Sequence, residues 1–425
     1  MGSPIRLPLR WIAMGVFVLC STVNFLDRQL LAAAAPIIKS EFSLSNAQYG
    51  QVLSAFAFTY ATMAPVFGWL VDRAGLNLGM SIAVGVWSLA GTATGLTRSF
   101  GALLGCRAML GLGESAGMPG LAKANGMYMK PGEFAMSLAV NHVTLGLGAA
   151  VAPLLVAVMA PRYGWRSVFL VCGTVGFLWI PLWLFTSRRT SPPAEVKPSQ
   201  RMPASSLLRD PRLWGLTIAN ALIMTVYTVW TNWTTIYLVQ EHRLTAIEAN
   251  HGFAWIPPVF ATVGGFFGGW LASRWIGRGM EVLTARLRAG WMAAGLLLFT
   301  AVLPAVPSAA AAVGVISASL FCCMILQTNL HVMPIDLFGS GRAGFSVSML
   351  AFSYGLVQVV LSPMIGAVID HVGFAALSVI LAALPLMGMY VLTVSLKAKN
   401  PLIPSPAGRS WIPSADEGLR LEGKP

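Results

Sequence analysis

The sequence predicts an all-α membrane protein of twelve transmembrane helices, arranged as two six-helix halves. Its composition is the first reason: of 425 residues, 56% are hydrophobic and only 10% are charged, whereas soluble globular proteins carry about 25% charged residues. The second reason is that apolar runs of about 20 residues, long enough to cross a bilayer, recur along nearly the whole chain. The composition therefore excludes an ordinary soluble protein.

The expected helices form two sets, one on each side of a polar segment. The first set is Trp11–Ala35, Ala47–Val71, Leu78–Thr97, Ala102–Met127, Ala135–Ala160 and Val168–Phe185. The second is Leu213–Leu238, Gly252–Trp275, Leu283–Leu303, Ala309–Met333, Ala343–Ile369 and Phe374–Leu396. We thus predict an N-terminal bundle (1–187), a basic, proline-containing cytoplasmic linker (188–212), a C-terminal bundle (213–397) and a cytoplasmic tail (398–425).

The net charge of +13 lies at the ends of apolar segments, so no nucleic-acid partner is expected. Lysine and arginine are more frequent in the connections on the side of the termini. The positive-inside rule therefore predicts a multi-pass protein of the inner membrane with both termini cytoplasmic. The five cysteines fall within apolar runs without metal-ligand spacing, so we expect no metal. We also expect a monomer in the lipid bilayer, with no cofactor.

A repeated motif relates the two halves. "GWLVDR" (Gly68–Arg73) follows the second expected helix, and "GWLASR" (Gly269–Arg274) follows the second helix of the other set. A parallel six-helix repeat with a site between its halves is typical of the major facilitator fold. Residues 68–75 resemble the loop signature of that superfamily, which implies a gate at Asp72 and Arg73. Ser273 takes the acidic position in the second copy, so we expect no charged latch there.

Two adjacent charges, Asp27 and Arg28, lie inside the first apolar helix, where each costs roughly 2.5–3.5 kcal/mol. The fourth helix carries Arg107 and Glu114, seven residues apart and so on one face. At 1.5 Å per residue, their depths predict that Arg107 meets Asp27 and that the long side chain of Arg28 reaches Glu114. Such pairs either hold helices together or form a transport site, because intramembrane ionisable groups mark transport pathways by default.

Five segments, "NFLDR", "SAFAFTY", "GWLVDRAG", "CRAMLGLGESAGMPG" and "YGWRSVF", resemble the anion:cation symporter family of the major facilitator superfamily. This resemblance implies proton-coupled uptake of an organic anion: a sugar acid, a hexuronate or another carboxylate. It implies that Asp27 and Glu114 carry protons, Arg28 binds the substrate carboxylate, Arg107 couples to the acids and Tyr60 lines the pocket. Phe25 departs from the tyrosine of galactonate transporters, which removes a hydroxyl near the site.

Further candidates for the substrate site are uncharged. Tyr227 and Thr231 share a polar stripe on the seventh helix, and the other members of this wall are Gln327, Tyr354 and Gln358. Such stripes also arise from hydrogen bonds between helices. Asn141 and His142 lie on the fifth helix, where the histidine is either a ligand or proton-linked group or a structural residue bonded to a neighbour.

Other function classes fit less well. The motifs H-E-x-x-H and G-x-S-x-G and a phosphate-binding loop are all missing from the sequence, so we do not expect an enzyme. A drug or cation antiporter is disfavoured because Arg28 favours anions and Ala152 replaces the glycine that usually precedes the proline in such exporters. The alternative is a spinster-like lysolipid transporter, which shares an "NFLDR"-like first helix and an acid in the fourth. The expected partners are a small organic anion and protons.

Overall fold

The structure is a computed structural model that describes residues 9–129, 133–190 and 205–397. Every regular element within these ranges is a helix, which confirms the predicted all-α class. The first seven helices are α1 (Leu9–Phe42), α2 (Asn46–Ala74), α3 (Leu76–Thr94), α4 (Phe100–Glu114), α5 (Gly117–Tyr128), α6 (Phe134–Tyr163) and α7 (Trp165–Arg188). We call these helices the N-terminal half.

The remaining described helices follow the polar segment. They are α8 (Ser205–Leu208), α9 (Pro211–Glu241), α10 (Ala246–Ala249), a π-helical turn (Asn250–Ala254), α11 (Ile256–Ile276), α12 (Val282–Leu297), a 3₁₀ helix (Leu298–Ala305), α13 (Ala309–Phe338) and α14 (Ser340–Leu396). We call α9–α14 the C-terminal half. Residues 191–204, which make up most of the predicted linker, and the predicted tail 398–425 lie outside the described residues.

Nine helical stretches within the described ranges are long and apolar enough to cross a membrane. The chain is therefore a multi-pass membrane protein, while the count of twelve spans stays a prediction. The last stretch, Phe345–Leu396, has 52 residues and would measure about 78 Å as one helix, more than twice a bilayer core. Gly373 interrupts it with φ 78° and ψ 179°, close to the predicted boundary between the last two spans.

The predicted continuous helix Ala102–Met127 is wrong, because α4 ends at Glu114 and α5 begins at Gly117. Pro119 explains the interruption. It has no N–H to donate to the carbonyl of Ser115, four residues earlier, so the helical ladder loses a bond there. The break therefore follows directly after one of the predicted site residues.

The predicted helix Gly252–Trp275 also begins differently. Its first residues form part of the π-helical turn, and α11 starts only at Ile256. Pro257 and Pro258 follow in the first turn of α11, where their missing N–H groups leave no intrahelical bond unmade.

Helix packing sets the position of the interface between the halves. In the N-terminal half α1 packs against α6 and α7, and α2 packs against α4. In the C-terminal half α9 packs against α14, and α11 against α13. Contacts between the halves join α2 to α14, α1 to α9 and α6 to α11. Residues of α1 and α2 therefore face residues of α9 and α14 across one central interface.

The interface is closed at the end of the bundle that holds the α1–α2 connection. The Asp370 carboxylate of α14 accepts hydrogen bonds from the backbone N–H groups of Asn46 (3.1 Å) and Ala47 (2.9 Å), in the first turn of α2. Side chains are excluded beside this cap. A Cβ on Gly50 would lie 2.3 Å from the Ser362 carbonyl oxygen, and a Cβ on Gly366 would lie 2.2 Å from that of Asn46. We call Asn46, Ala47, Gly50, Gly366 and Asp370 the seal.

Candidate functional site

A cavity with about 510 Å³ of empty space lies between the halves. Its lining residues are Phe25, Arg28, Gln29, Leu31, Leu53, Phe56, Arg107, Tyr227, Thr231, Asn232, Tyr354 and Gln358. Six of the predicted site residues are among those that line it.

The predicted contact between Arg28 and Glu114 is present. Arg28 Nε donates to Glu114 Oε2 at 2.6 Å, and the exposed fraction of the side chain is 19% for Arg28 and 0% for Glu114. The second carboxylate oxygen, Oε1, has no hydrogen-bond partner in the described part of the chain. The pair thus satisfies one oxygen of a fully buried acid and leaves the other free.

The predicted ion pair between Arg107 and the Asp27 carboxylate is wrong. Arg107 Nη1 donates to the backbone oxygen of Asp27, at 3.4 Å. The Asp27 carboxylate instead faces α3, where its Oδ2 would lie 3.7 Å from a Cβ on Gly91. Both residues are only 2% exposed, and neither Asp27 Oδ2 nor Arg107 Nε has a partner among the described residues. Both atoms belong to buried ionisable groups, for which an unpaired atom is more costly than for a neutral polar group.

Aromatic rings surround the Arg28 guanidinium. Its carbon lies 4.6 Å from the ring centre of Tyr60, 4.7 Å from that of Phe56 and 5.5 Å from that of Phe25. Phe56 and Tyr60, four residues apart on α2, are stacked with ring centres 5.7 Å apart. A cation over these ring faces is stabilised electrostatically. Tyr60, predicted to line the pocket, thus contacts Arg28 but is not one of the residues that line the cavity.

The C-terminal half supplies an uncharged wall. Tyr227 and Thr231 of α9 and Tyr354 and Gln358 of α14 line the cavity. Thr231 Oγ1 donates to the Tyr227 backbone oxygen at 2.7 Å, and Gln358 Nε2 donates to the Tyr354 hydroxyl at 2.9 Å. These residues therefore lie together opposite the buried charges of α1 and α4.

The structure does not bring Asn141, His142 or Gln327 to this cavity. Asn141 on α6 is 4% exposed, and its Oδ1 has no partner within the described ranges. The neighbouring His142 is exposed. Gln327 on α13 bonds instead to His331, with the two Nε2 atoms 3.2 Å apart.

The predicted gate is described only in part. The backbone of Asp72 belongs to α2, but its side chain lies outside the described residues. Arg73 is exposed, with its guanidinium carbon 5.5 Å from the ring centre of Trp69. Lys123 Nζ of α5 donates to the Val71 backbone oxygen at 2.7 Å, a cap on the α2 terminus that sequence reasoning missed.

Sequence reasoning also missed several lining residues: Gln29, Leu53, Phe56 and Asn232. A signal existed for Phe56, because it precedes Tyr60 by four residues and so shares its helical face. Within the described ranges no group of three His, Cys, Asp or Glu side chains could hold a metal ion.

Comparisons with known proteins identify the superfamily and transporters to which the chain is similar. The family model of the Major Facilitator Superfamily matches residues 17–360. The hexuronate transporter of Escherichia coli (strain K12) is 24% identical over 412 residues, which cover 92% of this chain and 95% of that protein. The D-galactonate transporter of Escherichia coli O6:H1 is 25% identical over 439 residues, which cover 91% of this chain and 95% of that protein.

A solved structure shares the fold. It is a bacterial homologue of the human lysosomal transporter Spinster in an inward-facing and occupied conformation, with a TM-score of 0.77 and 19% identity, covering 94% of this chain and 100% of that one. The resemblance inferred from the sequence motifs is confirmed, and the chain is a transporter and not an enzyme. It belongs to the major facilitator superfamily.

Proposed function

We propose that this protein carries an organic anion across the membrane together with protons, by alternating access between its two halves. The observation that carries the proposal is the buried Arg28–Glu114 pair beside the cavity. A guanidinium offers carboxylates a bidentate fork that an ammonium cannot copy. Relatives named for hexuronate and D-galactonate, both carboxylates, support an anionic substrate.

Glu114 couples the proton to the anion in this proposal. When ionised, Glu114 holds Arg28; when protonated, it releases the guanidinium to the substrate carboxylate. Proton binding and substrate binding then favour each other, as linked sites require. Asp27 is the second proton carrier, because an ionised carboxylate without a donor is costly to bury and its Oδ2 has no partner among the described residues. Arg107, bonded to the Asp27 backbone, couples to both acids.

Alternating access draws support from the contacts that join the described residues of the two halves on the side of the seal. Besides the cap at Asp370, hydrogen bonds between the halves join Tyr49 to the Asn232 oxygen and Ser54 to the Val359 oxygen, on the side of the seal. We propose that residues 1–187 and 213–397 move against each other, joined by the linker 188–212, in a monomer of the inner membrane. Both termini, including the tail 398–425, are cytoplasmic, so the seal faces outward.

The likeness to a Spinster homologue is a likeness of fold alone, because the identity is only 19%. A lysolipid carrier stays the alternative, and it is less well supported because Arg28 offers a partner for a carboxylate. Lysophosphatidylcholine is expected not to compete with small carboxylates for binding.

The test uses the full chain reconstituted in proteoliposomes. Glucuronate, galactonate and phenylacetate are offered under an inward proton gradient without sodium, and at least one is expected to accumulate. Glu114→Gln mimics the protonated acid, so this variant should bind and exchange the substrate but not concentrate it. Glu41→Gln makes the same chemical change in an acid that pairs with Arg166, away from the cavity, and should leave accumulation intact. Sodium dependence at a fixed proton gradient, or accumulation by Glu114→Gln, would contradict the mechanism.

A further inference from the structure

Half of the residues that line the cavity are aromatic or aliphatic. Four rings line it: Phe25 and Phe56 from the N-terminal half, and Tyr227 and Tyr354 from the C-terminal half. Leu31 and Leu53 also contribute. Two of the rings, Phe25 and Phe56, lie within 5.5 Å of the guanidinium carbon of Arg28. A bound molecule that reaches Arg28 therefore meets ring faces beside its charged end.

Three polar side chains of the opposite wall already donate hydrogen bonds within the protein. Thr231 gives its hydroxyl proton to the Tyr227 carbonyl. Asn232 Nδ2 donates to the Thr228 carbonyl at 2.9 Å, and Gln358 Nε2 donates to the Tyr354 hydroxyl. A ligand hydroxyl that needed one of these three donors would have to break its bond within the protein, and buried unpaired polar groups are unfavourable.

We propose that the transported anion is an arylcarboxylate, one planar aromatic ring carrying a single carboxylate, in preference to a polyhydroxylated sugar acid. The carboxylate binds Arg28, and the ring lies among the rings of Phe25, Phe56, Tyr227 and Tyr354. This inference rests on the proposed function, because it takes Arg28 as the partner of the carboxylate.

The physical reason is a match of chemistry. Aromatic rings associate through offset-stacked and edge-to-face contacts with ring centres about 4.5–7 Å apart, and four such surfaces are present. A site that hydrogen-bonds a substrate hydroxyl strongly prefers the substrate that carries it. An aromatic ring face offers a hydroxyl no comparable hydrogen-bond partner. The cavity supplies cations for one carboxylate and four aromatic rings for an aromatic remainder.

The test is isothermal titration of the purified full-length protein with phenylacetate and with D-glucuronate at one pH. Phenylacetate is expected to bind at least about tenfold more tightly, a difference of about 1.4 kcal/mol. Equal or tighter binding of glucuronate would overturn the assignment.

Two variants sharpen the result. Phe25→Tyr adds a hydroxyl to the ring beside Arg28, so the sugar acid gains a polar partner. The ratio of phenylacetate affinity to glucuronate affinity should fall by about threefold or more. Phe25→Leu keeps an apolar side chain without a ring and should weaken only phenylacetate. Phe185→Leu is the matched control, since Phe185 is exposed and packs on Arg189 away from the cavity. Gel filtration verifies that each variant is folded. If folded Phe25→Tyr and Phe25→Leu keep the same ratio of phenylacetate affinity to glucuronate affinity, the ring contact is absent and the inference is overturned.

The proposed function and this inference fail in different ways. If glucuronate binds more tightly and is still accumulated under a proton gradient, the substrate class is wrong and the function stands. If neither anion binds while lysophosphatidylcholine does, both are wrong.

Discussion

The two halves contribute different chemistry to the same cavity. The N-terminal half brings four ionisable side chains to it or next to it: the buried Asp27, Arg107 and Glu114 and the partly exposed Arg28. Among the described residues, the C-terminal half lines it with uncharged side chains: Tyr227, Thr231, Asn232, Tyr354 and Gln358. The charge chemistry therefore resides in one half, and the other half provides shape and neutral hydrogen-bonding groups.

This division has a mechanical advantage. Arg28 of α1 and Glu114 of α4 belong to one half, so they keep each other as partners when the halves move apart. Leaving one member of a buried ion pair alone costs roughly 3–5 kcal/mol. A pair split between the halves would meet this cost at every opening. Substitutions in the C-terminal wall can thus alter selectivity without exposing an unpaired charge.

Arg28→Lys tests the charged half and should have the largest effect. Lysine keeps the positive charge but loses the planar fork, so we expect carboxylate affinity to fall by about 100-fold, near the upper value for losing a charged hydrogen bond. Titration calorimetry of the purified variant measures it. Arg98→Lys, an exposed arginine outside the cavity, should retain the affinity of the unmodified protein. Retained affinity in Arg28→Lys would remove this residue from the site.

Asp370→Ala tests the carboxylate that the C-terminal half contributes to the seal. The variant loses two hydrogen bonds to an exposed carboxylate, worth about 1 kcal/mol each because solvent screens the charge. The seal should open more often, which maleimide labelling of a cysteine substituted at the buried Leu44 detects as at least about tenfold faster modification. The preference among carboxylates should stay unchanged.

Asp336→Ala is the control for this experiment, because Asp336 pairs with Arg286 within the C-terminal half. Labelling at the seal should remain slow in this variant. Slow labelling in Asp370→Ala would show that the glycine contacts close the interface without the cap.

Tyr354→Phe probes the neutral wall and should have the smallest effect. It removes the hydroxyl that accepts a hydrogen bond from Gln358, a neutral bond worth about 1 kcal/mol, so we expect about a fivefold change in affinity. The pH dependence of uptake should not move. Tyr390→Phe, an exposed position, supplies the matched control. A shifted pH dependence in Tyr354→Phe would mean that the C-terminal half takes part in coupling.

Composition and spacing were sufficient to predict the fold class and the Arg28–Glu114 contact. The reason is geometric: two helices that run in opposite directions through one bilayer have calculable depths, because each residue advances 1.5 Å. Depth does not fix the direction in which a side chain points. The Asp27–Arg107 prediction failed on that ground, since the Asp27 carboxylate faces α3.

Two other structural features differ in whether the sequence alone can predict them. The break after Glu114 could have been predicted from Pro119, which lacks the donor for Ser115. The hydrogen bonds from the first turn of α2 to Asp370 could not have been predicted, because Asp370 lies 324 residues from Asn46 in sequence. Only the three-dimensional packing of α2 against α14 brings these residues together. The role of His142 stays a prediction, and so does the count of twelve spans.

The glycine contacts of the seal have a kinetic consequence. At Gly50 and Gly366 the backbone of one half touches the backbone of the other, with no side chain from these positions inserted between them. Surfaces that meet in this way can separate and rejoin without any rotamer change at the contact. The barrier to opening at these two positions then comes from breaking the Asp370 hydrogen bonds and admitting water. A larger residue at Gly50 would prevent the halves from meeting and would hold the transporter open on that side.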